Sequence, residues 1–212
     1  ITPEDGTHGV VPSGTTYTWD IAANSSSSIE GASASTAASS TIPGSELTLA
    51  EGTTSPQDLI YIVTPTSSEG CEGEDFTVTI TVNPEPQIDN FSETICEGDT
   101  FISITPEDGT NGVVPLGTTY TWDIAANSSS SIEGASASTA ASATIPGSEL
   151  TLVAGTTSPQ DLIYVVTPTS SEGCEGEDFT VTITVNPTAQ MNEVTDIVVC
   201  NGEEATIDFT TN

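Results

Sequence analysis

The chain has 212 residues, with 31 Asp and Glu, one His and neither Lys nor Arg, so its formal net charge is −31 at pH 7. Nucleic acids and anionic membrane surfaces are bound through basic groups, so this composition excludes both as partners. No apolar stretch of the roughly 18 residues that a bilayer requires is present, so the segment is not predicted to insert into a membrane.

In chain order the predicted elements occur twice, because residues 1–84 recur almost unchanged as residues 104–187. The offset of 103 (104 − 1) leaves these mismatches: His8/Asn111, Ser13/Leu116, Ser40/Ala143, Ala50/Val153, Glu51/Ala154 and Ile62/Val165. Such a period is that of one small domain, not of a solenoid unit. We predict an N-terminally truncated repeat over 1–84, a complete repeat over 85–187 and the start of a third, diverged repeat over 188–212, in a window of a longer polypeptide.

The complete repeat alternates short segments of β character with turns. Strands are predicted over Thr100–Thr105, Thr118–Ile124, Ser148–Val153, Asp161–Thr167 and Phe179–Val185, with Ala125–Thr144 as a loop holding one or two weak edge strands. The residues predicted to point inward are Tyr120, Trp122, Ile124, Leu150, Leu152, Phe179, Val181, Ile183 and Val185. About seven short strands with a Trp on an early one predict an all-β fold of tandem immunoglobulin-like, antiparallel β-sandwiches.

Each repeat carries two cysteines at fixed places: Cys96 and Cys174 in the complete copy, with Cys71 equivalent to Cys174 and Cys200 equivalent to Cys96. Regular pairs in an acidic, Ser/Thr-rich chain indicate disulfides in an oxidising compartment. The preferred pair is Cys96–Cys174, with Cys71 and Cys200 paired outside the window. The alternative is a staple between neighbouring repeats, through Cys71–Cys96 and Cys174–Cys200. The spacings match no zinc site.

Four segments carry a resemblance to a known family: I-C-E-G-D-T-F-I-S-I-T-P (95–106), V-P-L-G-T-T-Y-T-W (114–122), V-T-P-T-S-S-E-G-C (166–174) and F-T-V-T-I-T-V-N-P (179–187). They resemble the PKD-like, immunoglobulin-like repeats of giant cell-surface proteins from Bacteroidetes-type bacteria, among them SprB-like gliding-motility adhesins. The resemblance spans the whole repeat. It implies export, usually by the type IX route, an extracellular, cell-surface location, and a role as stalk, adhesin or filament. It brings no catalytic residues.

Candidate chemistry is sparse. The only histidine, His8, is replaced by Asn111 in the second copy, so no acid–base group recurs and the chain is predicted not to be an enzyme. Clustered carboxylates at turns are the ligands that Ca²⁺ prefers. The candidate Ca²⁺ ligands are Glu97, Asp99, Glu107, Asp108, Glu175, Glu177 and Asp178. No D-x-D-x-D-G loop is present, and the alternative is acidic turns that are only solvated; no other cofactor is predicted.

Three functions fit this sequence. The first is the structural repeat region of a large secreted adhesin or stalk, acting by extension and multivalency, with neighbouring repeats as partners and an unknown surface or glycan as ligand. The second is part of a self-assembling filament or sheath, in which open strand edges contact other copies. The third and weakest is a carbohydrate-binding accessory module. Such a module needs exposed aromatic residues, but most of the aromatic residues of this chain are predicted to point inward. They are Tyr17, Trp19, Tyr61 and Phe76 with their equivalents, and Phe91, Phe101 and Phe209.

Overall fold

A computed structural model describes residues 2–191, 193 and 196–207. The strands are β1 (Thr16–Ile21), β2 (Ile29–Glu30), β3 (Thr48–Leu49), β4 (Gln57–Thr66), β5 (Phe76–Val82), β6 (Gln87–Ile88), β7 (Phe91–Cys96), β8 (Gly112–Val113), β9 (Thr119–Ile124), β10 (Ile132–Glu133), β11 (Thr151–Leu152), β12 (Gln160–Thr169) and β13 (Phe179–Asn186). The described part of the chain contains no helix, and so none that could cross a membrane.

The main sheet of the second copy has four strands in the order β7-β13-β12-β9. Its two central strands, β12 and β13, are antiparallel, with Leu162 in register with Ile183. Because alternate residues of a strand point to opposite faces, one face of this pair is buried and apolar, and the other carries the threonines of β13 together with Ile163 and Val165 of β12. The buried residues of the two strands are Leu162, Tyr164, Val166, Pro168, Phe179, Val181, Ile183 and Val185.

Short pairings close the core of the second copy on its other side. Strand β10 pairs with β11, and isolated bridges join Ile104 to Ile145 and Tyr120 to Ser142. Phe101, Ile145 and Leu150 are buried here and belong to the same apolar cluster as the central strands. The all-β, immunoglobulin-like sandwich predicted from the sequence is confirmed.

The first copy has a smaller sheet, of three strands in the order β1-β4-β5. Strands β2 and β3 form a two-stranded pair beside it, and β6 pairs with β8 elsewhere in the chain. The core of the first copy consists of Tyr17, Trp19, Ile42, Leu59, Tyr61 and Val63. Strand β5 lies at an edge of its sheet, whereas its equivalent in the second copy, β13, has a neighbour on each side.

The structure departs from the predicted strands at three places. Ile124 was predicted to point inward but is 41% exposed, so that prediction is wrong. The predicted strand Thr100–Thr105 forms only isolated bridges, at Thr100 and Ile104. Strand β7 was not predicted, and it pairs with β13 in parallel within an otherwise antiparallel sheet.

The chain divides into two compact units. The first consists of Ile1–Gln87, Glu107–Thr118 and Thr169–Gly176, and the second of Ile88–Pro106, Thr119–Pro168 and Glu177–Asn212. The three repeat boundaries drawn from the sequence stay a prediction.

Candidate functional site

The most distinctive local arrangement is the parallel pair of β7 and β13, which we call the terminal-strand pair. Its register runs from Phe91 opposite Val181 to Cys96 opposite Asn186. The Phe91 ring packs on Phe179, with ring centroids 5.9 Å apart and planes inclined by 55°. Strands β7 and β13 are the first and last long strands of this copy, so the pair joins segments that lie far apart in the sequence.

Hydrogen bonds extend the terminal-strand pair beyond both of its ends. At one end, the Thr180 amide donates to Asn90 Oδ1 at 2.7 Å. At the other end, the Glu97 amide donates to the Asn186 carbonyl at 2.8 Å, and Glu97 Oε2 accepts from the Thr188 amide at 3.3 Å. The pair is therefore held at the points where the chain enters β7 and leaves β13.

The direction of the two strands determines how the pair responds to tension. The chain enters the pair at Phe91 and leaves it at Asn186, and the register places these residues at opposite ends, about 17 Å apart at 3.3 Å per residue. Tension between the two ends pulls the strands in opposite directions along their own axes. The inter-strand hydrogen bonds are then loaded in shear, because the force acts along the strands and all the bonds between them carry it at the same time.

Three of the carboxylates predicted as Ca²⁺ ligands accept hydrogen bonds from backbone or hydroxyl groups. Asp99 accepts from the Cys96 amide at 3.2 Å, Asp108 from the Val114 amide at 3.0 Å, and Asp178 from the Thr167 hydroxyl at 2.6 Å. The first two are turn-capping bonds of the kind that Asp side chains form with nearby backbone groups, whereas the third joins residues 11 positions apart.

The seven candidate ligands do not converge. Glu97 is half-buried, and the other six, Asp99, Glu107, Asp108, Glu175, Glu177 and Asp178, are exposed. In the described part of the chain, no three or more His, Cys, Asp or Glu side chains are grouped so that they could hold a metal ion. Calcium binding at these residues stays a prediction from the sequence.

The preferred disulfide, Cys96–Cys174, is not formed, and the register of the terminal-strand pair explains why. Cys96 lies opposite Asn186, the last residue of β13, whereas Cys174 lies in the loop that precedes its first residue. The Ser170 amide donates to the Cys174 carbonyl at 2.9 Å, which holds that loop at the far end of the strand. Eight residues of strand span about 23 Å, and a disulfide requires Cα atoms within about 7 Å.

All four cysteines are free thiols in this structure: Cys71, Cys96 and Cys200 are exposed and Cys174 is half-buried. The alternative staples, Cys71–Cys96 and Cys174–Cys200, are therefore not formed either.

The single histidine has a turn-capping role that its replacement reproduces. His8 Nδ1 accepts from the Glu4 amide at 3.0 Å, and in the second copy Asn111 Oδ1 accepts from the equivalent Glu107 amide at 2.9 Å. Both side chains place one acceptor atom at the same point of the turn. This common role accounts for the substitution without any acid–base function.

Most aromatic residues lie inside the two copies. Tyr17, Trp19, Tyr61 and Phe101 are buried, whereas Phe76 and Phe91 are half-buried, and Phe209 lies outside the described residues. The Trp19 and Trp122 indoles donate to the Ser33 and Ser136 carbonyls, each at 3.1 Å. These aromatic side chains are core residues with satisfied polar atoms, not a platform for stacking sugars.

Sequence reasoning missed the structural role of the serine-rich loop. Ser129 Oγ donates to Gln160 Oε1 at 2.5 Å, and Ser138 Oγ both accepts from the Trp122 amide and donates to its carbonyl. A serine-rich stretch flanked by strands is the available signal, because serine hydroxyls compete with backbone partners for strand amides and carbonyls. That signal does not specify which serine bonds to which strand.

Comparison with known protein families agrees with this architecture. The PKD-like domain family matches the chain twice, over residues 4–86 and 93–189. These two regions comprise most of the chain, and the chain belongs to the PKD-like domain family. No curated protein matches the sequence. The family identifies a structural repeat module rather than a particular adhesin.

Proposed function

We propose that this chain is a tension-bearing repeat region of a large secreted cell-surface protein, an adhesin or stalk. The observation that carries the proposal is the parallel pairing of β7 with β13, which places the entry and exit points of the chain at opposite ends of one hydrogen-bonded pair. Membership of the PKD-like domain family supports a non-catalytic, extracellular module. The near-identity of the two copies supports a function that depends on length and repetition.

The surface chemistry supports an extended protein outside the cell. Thirty-one acidic residues with no Lys or Arg give neighbouring copies charge of the same sign, which opposes their aggregation. The absence of Lys and Arg also leaves trypsin-like proteases without a cleavage site. Both properties suit a surface protein that is exposed to proteases and crowded by its own copies.

Single-molecule force spectroscopy on the full chain tests the proposal through the direction of pulling. In the shear geometry, handles are attached at Asp89→Cys and Ala189→Cys, which flank the terminal-strand pair. In the peeling geometry, they are attached at Cys96 and Ala189→Cys, so that adjacent strand ends are pulled apart. In both proteins the unused native cysteines are replaced by Ser. Asp89, Cys96 and Ala189 are all exposed, so handles at these positions do not disturb the core.

We expect the second copy to resist several-fold more force in the shear geometry than in the peeling geometry. Shear loads all the inter-strand hydrogen bonds of the terminal-strand pair at once, whereas peeling breaks them one after another, starting at Cys96 and Asn186. Equal rupture forces in the two geometries would show that the pair does not bear the load. Equal melting temperatures of the two labelled proteins are the control that the handles do not change the fold.

The second candidate function, a subunit region of an extracellular filament, is favoured by one specific observation. Within the described residues, strands β7 and β9 lie at the two edges of the sheet of the second copy. Open edges are where sheets add strands from other chains.

A further inference from the structure

The sheet of the second copy has one edge that its own chain covers and one that it leaves open. Strand β9 is the covered edge, because Tyr120 exchanges backbone hydrogen bonds with Ser142 of the serine-rich loop, at 2.7 and 3.0 Å. Strand β7 is the open edge. Outside its ladder with β13, the backbone of β7 bonds only through Cys96, to the following turn. Strand β7 is therefore the place where a further strand can join this sheet.

An apolar cleft of about 280 Å³ lies beside the open edge. It separates β7 from residues 102–105, which belong to the opposite layer of the sandwich through an isolated bridge at Ile104. Its apolar lining residues are Phe91, Ile102, Ile104 and Val181. Ile102 is aliphatic and yet 72% exposed. The open edge and the cleft together form one surface, which we call the β7 side.

One carboxylate stands in this cleft. Glu93 is half-buried, between Phe91 and Ile95 on the inward-facing side of β7. Its Oε2 accepts from the Ile102 amide at 3.2 Å, so the side chain reaches from one layer of the sandwich to the other. Among the described residues that line the cleft, on β7, on β13 and in the segment 102–105, Glu93 is the only titratable one. Inward-pointing charges on edge strands are one means by which proteins prevent edge-to-edge pairing.

We propose that the β7 side is a docking surface for a second copy of this chain, and that Glu93 prevents this docking until acid removes the carboxylate charges. The inference rests on the filament candidate of the preceding subsection, to which it assigns a surface and a condition for assembly. It is independent of the tension-bearing role.

The register of such a pair explains why it does not form at neutral pH. In an antiparallel pair, inward residues lie opposite inward residues. With Phe91 opposite the partner's Ile95, Glu93 lies directly opposite the partner's Glu93. Like charges in this position are destabilising, and the chain has no Lys or Arg that could compensate them. Pairing therefore requires neutral carboxyl groups on both strands.

The charge of the whole chain favours a second copy as the occupant. A basic partner would be attracted at neutral pH and released in acid. Two copies instead repel each other through 31 carboxylates each, and acid removes this repulsion without replacing it, because His8 is the only basic side chain. Each copy supplies both halves of the contact, and an array of repeats keeps many copies close together.

Sedimentation equilibrium of the full 212-residue chain tests the surface, in about 0.15 M NaCl at neutral pH and at about pH 3, where most carboxyl groups are neutral. We expect a monomer at neutral pH and a dimer in acid, with an association constant at least about tenfold higher. Return to neutral pH should dissociate the dimer. Circular dichroism is the control that the fold persists in acid. A chain that stays monomeric in acid would overturn the proposal.

Two matched substitutions locate the contact. Ile102→Asn removes the exposed aliphatic side chain beside the cleft, and we expect it to weaken the acid dimer at least about tenfold. Leu116→Asn removes an apolar side chain that is 92% exposed outside the β7 side, and its dimer should be as strong as that of the parent chain. Equal dimerisation of the two variants would place the contact elsewhere and overturn the proposal.

The variant Glu93→Gln separates the role of Glu93 from general charge repulsion. Glutamine has nearly the same shape and keeps an acceptor for the Ile102 amide. At neutral pH in about 1 M NaCl, the screening length is about 3 Å and repulsion between distant charges is removed. We expect the parent chain to remain a monomer there and Glu93→Gln to associate at least about tenfold more strongly. The exposed Glu133→Gln on β10 is the control and should behave as the parent chain.

Equal association of Glu93→Gln and the parent chain would overturn the role of Glu93. Filaments of the parent chain at neutral pH in about 0.15 M NaCl would overturn the requirement for acid but would support the filament candidate itself. The inference and the candidate function on which it rests can therefore fail separately.

Discussion

Ser128 Oγ bonds to both backbone groups of Ile163: it accepts from the amide at 2.9 Å and donates to the carbonyl at 2.9 Å. Ser25 does the same at Ile60 in the first copy, at 2.9 and 3.0 Å. One hydroxyl thus serves both polar groups of a strand residue 35 positions away. The serine-rich loop is therefore fixed to the sheet by serine side chains in addition to backbone hydrogen bonds, such as that from the Ser129 amide to the Asp161 carbonyl at 2.9 Å.

Replacing Ser128 with Ala is expected to destabilise the second copy. The substitution leaves the Ile163 amide without this partner in a partly buried position, and such a loss costs about 1–3 kcal/mol. Chemical denaturation followed by Trp122 fluorescence, with Trp19 replaced by Phe in every protein compared, measures the change. The exposed Ser130→Ala is the matched control, with an expected change within about 0.5 kcal/mol. Equal stabilities of the two variants would contradict the role assigned to Ser128.

The pair Gly147→Ala and Gly44→Ala tests the difference between the two copies. Alanine at Gly147 forces the Phe101 backbone to move, and we expect a loss of about 1–3 kcal/mol from overpacking. Alanine at Gly44 meets no atom, and stability should stay within about 0.5 kcal/mol of the parent protein. Thermal unfolding of both variants decides the matter. A large loss at Gly44 would mean that a segment already covers the first copy.

Alkaline pH should destabilise the second copy through Tyr120. Burial raises the pKa of Tyr120 to about 12, from about 10 in the unfolded chain. The unfolded state therefore loses this proton first, and stability is constant below about pH 10 and falls between about pH 10 and 12, by at most about 1.4 kcal/mol per pH unit. Tyr120→Phe should flatten this part of the profile. Burial raises the pKa of Tyr164 as well, so a smaller decline is expected to persist.

Thiol chemistry provides a direct check on the cysteines. We expect an Ellman titration of the unfolded, unreduced chain to yield four thiols, because none of the four cysteines is bridged. The melting temperature should be the same with and without reductant. A recovery of only two thiols, together with a reductant-sensitive melting temperature, would contradict this expectation and support the Cys96–Cys174 disulfide predicted from the sequence.

Salt should stabilise the protein. With 31 carboxylates and no Lys or Arg, the folded state is subject to self-repulsion that a more expanded chain relieves. Raising the salt from about 0.01 M to 0.15 M shortens the screening length from about 30 Å to about 8 Å, so we expect a higher melting temperature. Differential scanning calorimetry in NaCl measures the shift. An unchanged or lower melting temperature would show that charge repulsion does not contribute significantly to the free energy of unfolding.

The strands with strict alternation were predictable from sequence, because burial of one face imposes the same period of two on the chain. Phe179, Val181, Ile183 and Val185 are all buried as that rule requires. Ile124 follows the same alternation and yet is exposed, because it ends its strand where the core no longer covers that face. The alternation of apolar and polar residues shows which residues share a face of a strand. It does not show how far along the strand that face is covered by the opposite layer of the sandwich.

The terminal-strand pair was not predictable in the same way. The segment Phe91–Cys96 mixes polar and apolar residues, as expected of an edge strand with only one neighbour. Its parallel direction depends on a partner 90 positions later in the chain (181 − 91), and no local signal encodes that choice. The state of the cysteines was hard to predict for the same reason, since the distance between Cys96 and Cys174 depends on the direction of β7.

The large sequence separation between β7 and β13 also affects how a chain with two copies folds. Contacts between distant segments form slowly, because the intervening loop must close before the contact stabilises it. When the chain emerges with its N-terminus first, β7 appears after β5 but long before β13. Strand β5 has the same sequence, F-T-V-T-I-T-V, as β13. Each new β7 therefore meets a wrong acceptor before the right one exists, and near-identical repeats bring with them the hazard of strand exchange between copies.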